Sequence, residues 1–186
     1  MVGDVAGTMT LGAYAAAAGV ATVTFTDADT ADTLNVGAGF TNNLSVNFAG
    51  DGAVHTVNAA AYTKVLTVNL LSSELDSNEL AVTGGTGTAD HLIVTIDGDD
   101  NILLANMTAI EKITTVGATQ NMDVTMDDAN VASGATLTID VTSMDDDTFT
   151  FVGSAETNGN FVILTDGTGA HIITLGAGAD SYNATG

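Results

Sequence analysis

Apolar and polar residues alternate in short runs along most of this chain. Leu44, Val46 and Phe48 alternate with Ser45 and Asn47, Leu92, Val94 and Ile96 with Ile93 and Thr95, and Leu137, Ile139 and Val141 with Thr138 and Asp140. The pattern recurs at Val23/Phe25, Leu66/Val68/Leu70, Leu80/Val82, Met122/Val124/Met126, Phe149/Phe151 and Ile173/Leu175. A period of two sends successive side chains to opposite faces, which predicts half-buried strands, and Gly, Asn or Asp bounds nearly every run. Roughly ten short strands, spaced about 8–14 residues apart, predict an all-β fold. The stretches Ala13–Ala18 and Leu70–Leu80 each suit a helical turn or two.

The strands belong to repeats. Shifting the chain by 48 residues lays Gly37, Gly39, Leu44, Val46 and Gly50 on Gly85, Gly87, Leu92, Val94 and Gly98, and Lys64 on Lys112. Residues 37–68 and 85–116 thus read as two copies of one unit. Within the units a finer form recurs, GxGxx(polar)x(apolar), at Gly37–Leu44, Gly50–Val57 and Gly85–Leu92. It reads as a tight turn that delivers an apolar residue into the core. Repeats this short cannot each enclose a core, but stacking their strands into a solenoid can. The expected architecture is one elongated, right-handed parallel β-solenoid (β-helix or β-roll) over residues 1–186, with an antiparallel β-sandwich as the alternative.

Charge narrows the partners. Twenty-three acidic residues stand against two lysines, for a formal net charge of −21, and Asp is taken over Glu almost throughout. Asp favours turns, where its short carboxylate reaches nearby backbone or a cation. With Lys64 and Lys112 alone, nucleic acid and anionic lipid are not expected partners. No apolar run is long enough to suggest membrane insertion. Cysteine is absent, so there is no disulfide and no thiolate chemistry. The motifs of the common hydrolases, metalloproteases and nucleotide-binding loops are missing, and no enzymatic activity is expected.

Two groups of oxygen donors have ligand-like spacing. Asp97, Asp99 and Asn101 alternate across Gly98, as D-x-D-x-N. In a curled loop that spacing lets each oxygen approach one Ca2+ at about 2.3–2.6 Å. The rest of an EF-hand is missing, because its twelfth position is Thr108. Asp27, Asp29 and Asp32 form the second group, whose mutual repulsion a cation would relieve. The run Asp145–Asp147 reads as a charged turn, and the scattered His55, His91 and His171 as turn or strand-start residues.

The C-terminal end is more specific. Gly167–Leu175 is followed at a nine-residue period by Gly176-Ala-Gly178-Ala-Asp180-Ser-Tyr182-Asn-Ala184. Leu175–Asn183 resembles the glycine- and aspartate-rich nonapeptide of RTX proteins, lacking its first Gly, and Gly84–Leu92 is the same motif with one residue inserted. The wider texture is similar to bacterial surface-layer (S-layer) proteins built from RTX-type β-solenoids. His171 departs from the motif, standing where the family has Asp, and Val162 falls where a second loop for Asp180 would be needed. The resemblance implies several Ca2+ ions between turns, with Asp90 and Asp180 as ligands. It further implies export to the cell surface by type I secretion and self-association into a surface lattice, with cell-surface polysaccharide as a further partner. The chain then reads as a segment of a longer structural protein. The alternative is a calcium-dependent adhesin or extender domain that binds another cell or a surface glycan.

Overall fold

The computed structural model describes residues 7–26, 31–48, 54–75, 80–98, 100–104, 106–117, 121–144 and 147–185. Asp27, Asp29 and Asp99, with the side chain of Asn101, lie outside the described residues, as do Asp145 and Asp146. One long parallel sheet runs the length of the stack. Its strands are β2 (Thr22–Phe25), β4 (Leu44–Phe48), β6 (Leu66–Leu71), β8 (His91–Thr95), β11 (Lys112–Val116), β13 (Thr136–Val141), β15 (Asn160–Thr165) and β17 (Ser181–Ala184). An N-terminal sheet holds β1 (Thr8–Leu11), β3 (Thr33–Val36), β5 (His55–Asn58), β7 (Leu80–Thr83) and β10 (Met107–Thr108). A C-terminal sheet holds β9 (Asp100–Leu103), β12 (Met122–Thr125), β14 (Thr148–Val152) and β16 (Ala170–Thr174).

Every strand pair among the described residues is parallel. The chain is a β-solenoid of about 6 turns with almost no helix, and not the antiparallel sandwich. The early turns pair the long sheet with the N-terminal one, and the late turns pair it with the C-terminal one. Strands β9 and β10 lie in the same turn and make the handover.

Stacking is carried by like residues. Val23, Val46, Val68, Leu92, Ile113, Ile139 and Ile163 sit one above another on the inner face of the long sheet, all buried. Each such burial is worth about 1.5–3 kcal/mol. Phe25 stacks on Phe48 with ring centroids 5.0 Å apart. Turn length is not fixed. Val46 lies over Val68, 22 residues on, whereas Ile113 lies over Ile139, 26 residues on. The corners absorb the difference.

This bears on the internal repeat. The 48-residue shift crosses two turns, but Leu92 stacks over Val68, and Val68 over Val46, two residues away from the sequence alignment with Leu44. A shift of two keeps the same face inward, so both registers look alike in an alternating sequence. Lys112 accordingly stacks over His91 and Thr67, while Lys64 lies in the preceding corner. The helical expectations correspond to α1 (Ala13–Ala17), between β1 and β2, and to a 3-10 turn, Ser72–Leu75, against which β9 packs.

Candidate functional site

Most of the polar chemistry of the described residues lies at the corners. Where the chain enters the long sheet, glycines let adjacent turns come into backbone contact. A Cβ on Gly84 would lie 1.7 Å from the Ala109 carbonyl oxygen, and one on Gly178 would lie 1.8 Å from that of Gly159. Gly85 faces the Tyr62 carbonyl and Gly176 that of Glu156 in the same way. The glycines of the nonapeptide-like motifs are therefore required by contact between rungs.

The aspartate of each motif closes that contact. Asp90 is wholly buried, and its Oδ1 accepts the Leu66 N–H at 2.8 Å while Oδ2 accepts that of Gly85 at 2.5 Å. The Glu111 carboxylate accepts the Asp90 N–H at 2.8 Å. Burial first, and then the Asp90 charge, push the Glu111 carboxyl above its ordinary value despite that hydrogen bond. Asp180 repeats the arrangement at the far end, accepting the Phe161 N–H at 2.7 Å.

Other residue types do the same work in the intervening turns. Asn42 donates to the carbonyls of Ala16 (2.9 Å) and Val20 (3.1 Å). The Tyr62 hydroxyl sits between the carbonyls of Asn42 and Val65, and burial, followed by the Asp90 charge, pushes its pKa up to about 12. Asn130 donates to the carbonyls of Leu104 and Met107 and accepts the Asp127 N–H. Glu156 accepts the N–H groups of Asn158 (2.9 Å) and Gly159 (2.7 Å) through one oxygen, and its other oxygen is buried without a hydrogen-bond partner. Sequence reasoning passed over Tyr62, Glu111, Asn130 and Glu156. Their one shared signal, a polar residue shortly before a long-sheet strand, changes residue type from turn to turn.

The remaining candidates sit at other corners. Asp32, nearly buried, accepts the Gly7 N–H at 2.9 Å, and its own N–H faces Nδ1 of buried His55 at 3.3 Å. Asp97, where the chain leaves the long sheet, accepts the Ser72 hydroxyl at 2.7 Å, and the N–H (3.2 Å) and hydroxyl (3.0 Å) of Ser73. Asp166 accepts the Thr168 N–H at 3.1 Å and lies 3.7 Å from His171 Nε2. Lys112 pairs with Asp140 at 3.1 Å.

Thus Asp32, Asp90, Asp97 and Asp180 occupy four separate places. Among the described residues no three His, Asp or Glu side chains converge as a metal centre. Asp90 is wholly buried, with both carboxylate oxygens already holding backbone N–H groups. At exposed Asp97 lone pairs remain, since a carboxylate offers about four acceptor sites, and the oxygen-only chemistry of that loop suits a hard cation. In comparisons with known proteins the chain matches no family model, no curated protein and no solved structure.

Proposed function

We propose that this chain is a structural element of a bacterial cell-surface layer, a stiff rod segment that divalent cations order. The observation that supports it most directly is the unbroken eight-strand sheet. At about 4.8 Å per strand it spans about 34 Å, with its inner columns apolar. Carboxylates at the corners serve to tie one turn to the next, as buried Asp90 and half-buried Asp180 do. Such a body transmits shape along one axis, as a solenoid scaffold does.

The ion enters through charge. A body carrying −21 repels itself, and cations that bind the folded form stabilise it by mass action. Calcium would engage the loop of Asp97, Asp99 and Asn101 and the segment of Asp27 and Asp29, where the sequence spacing suits oxygen coordination. Buried Asp90 would stay a backbone cap. Surface localisation and type I export follow from the RTX and surface-layer resemblance.

Thermal melting followed by circular dichroism, with chelator, calcium or magnesium, tests the reading. Calcium at millimolar concentration should raise the melting temperature beyond what magnesium does. Solution scattering should give a rod rather than a sphere. A melting curve indifferent to calcium would remove the ion from the proposal, and a compact scattering profile would remove the rod.

A further inference from the structure

The corner between β14 and β15 holds a buried acid against a reactive pair of residues. Glu156 is 1% exposed, and its Oε1 accepts the N–H groups of Asn158 at 2.9 Å and Gly159 at 2.7 Å. Its Oε2 is buried with no hydrogen-bond partner, so among the described residues those two N–H groups alone meet the carboxylate. Asn158 is exposed, and Asn158-Gly159 is the one Asn-Gly pair in the chain. Packing keeps the glycine there, since a Cβ on Gly159 would lie 2.6 Å from the Val131 side chain.

An asparagine side chain is open to attack at Cγ by the backbone nitrogen that follows it, which closes a five-membered ring. Glycine obstructs that nitrogen least, and the chain itself holds the two groups together. What the fold adds is a base. A carboxylate oxygen 2.7 Å from the Gly159 nitrogen is within reach of the proton that must leave. The departing group, the Asn158 amide nitrogen, donates to the exposed Thr157 hydroxyl at 3.2 Å.

We infer that Asn158-Gly159 is a self-modifying site, with Glu156 as its general base. Gly159 N bonds to Asn158 Cγ as its proton passes to Glu156 Oε1, and the bond from Cγ to the side-chain nitrogen then breaks. That nitrogen takes the proton back and leaves as ammonia. Water opens the succinimide at either carbonyl, yielding aspartate or isoaspartate and one new negative charge. Neither product keeps the bond to Thr157, because a carboxylate does not donate. In isoaspartate the original Asn158 carbonyl, which accepts the Gly134 N–H at 2.9 Å, leaves the main chain. The tie from this turn to the one before it therefore weakens with age. This chemistry goes beyond the structural role and depends on neither ion nor lattice.

Ageing of the full chain in warm, mildly alkaline buffer tests this, beside the same chain unfolded in guanidinium chloride at the same pH. Peptide mass mapping with enzymatic isoaspartate labelling locates the product, and released ammonia gives the rate. The folded chain should react at Asn158 about tenfold or more faster than the unfolded one, since a positioned base is worth at least that. Glu156→Gln should abolish the advantage, and the aged parent should melt below the fresh one. A folded chain that reacts no faster than the unfolded one overturns the inference. So does a Glu156→Gln protein that folds and keeps the parent rate. If Glu156→Gln does not fold, the comparison of folded with unfolded parent decides alone.

Discussion

Asp90 holds the N–H of Leu66, a residue 24 positions earlier in the chain, at 2.8 Å from inside a fully buried corner. The same carboxylate holds Gly85, so one side chain satisfies donors on two successive turns. Removing it leaves both donors without partners in a place water does not reach. Asp90→Ala should therefore cost about 3 kcal/mol, the scale of two unmet buried groups. Asp180→Ala should cost about 1 kcal/mol, since that corner is only partly buried and one donor is involved. Urea midpoints of the two variants, compared at constant slope, check the order.

Glycine is required at these corners for space rather than for conformation. Gly84→Ala would drive a methyl into the Ala109 carbonyl at 1.7 Å, and backbone on both turns must shift. The expected loss is about 3 kcal/mol, at the upper end for overpacking. Gly12, with nothing within 4 Å and a φ of −139°, should accept Ala within about 0.5 kcal/mol. Equal effects from the two substitutions would show that contact between rungs is not what selects glycine.

What the sequence disclosed and what it hid follow from range. Alternation is local, so strands such as β4, β6 and β13 were legible from their own residues. Strand β5 is harder to read because one of its two inward residues is His55, and β15 hides the period by placing Val162 and Leu164 outward among Phe161 and Ile163. Parallel stacking was legible only through the repeat, and the repeat left a two-residue ambiguity that the register resolves. The corner aspartates were the hardest to read. The resemblance to RTX nonapeptides pointed to Asp90 and Asp180 as ion ligands, and their hydrogen bonds to backbone groups up to 24 residues away are something no local motif reveals.

Ala109 is the one non-glycine described with a left-handed backbone, at φ 53°, and it is exposed. That conformation costs an L-residue about 1–2 kcal/mol, and glycine avoids it at some expense in chain entropy. Ala109→Gly should stabilise the fold by about 0.5 kcal/mol. A small rise in melting temperature is the expected readout, and a fall would show that the methyl contributes packing.

Acid should loosen the corner where the chain leaves the long sheet. Burial alone would raise the Asp97 carboxyl, but the hydroxyls of Ser72 and Ser73 and the Ser73 N–H outweigh it and hold it below the ordinary carboxylate value. A depressed acid stabilises the fold above its unfolded-state pKa, and that contribution disappears as pH falls through the folded value. Stability measured from about pH 5 down to about pH 2 should therefore fall less steeply in Asp97→Asn than in the parent.

Tyr62 reverses the sign at the alkaline end. Its hydroxyl is pushed from 10.0 to about 12, first by burial and then by the Asp90 charge, against the lowering effect of a hydrogen bond from the Leu44 backbone. A raised pKa means the folded form keeps the proton longer than the unfolded chain does. The stabilisation is whole below 10.0 and is lost as pH climbs through about 12. Tyr62→Phe should lose about 1 kcal/mol at neutral pH, because the carbonyls of Asn42 and Val65 lose their hydroxyl neighbour. The same variant should lack the alkaline loss contributed by this group. Asp90→Asn should bring the Tyr62 titration back toward the ordinary tyrosine range, read by ultraviolet absorbance of the phenolate. An unchanged titration in Asp90→Asn would mean that burial alone sets it, and that the two corners do not communicate through charge.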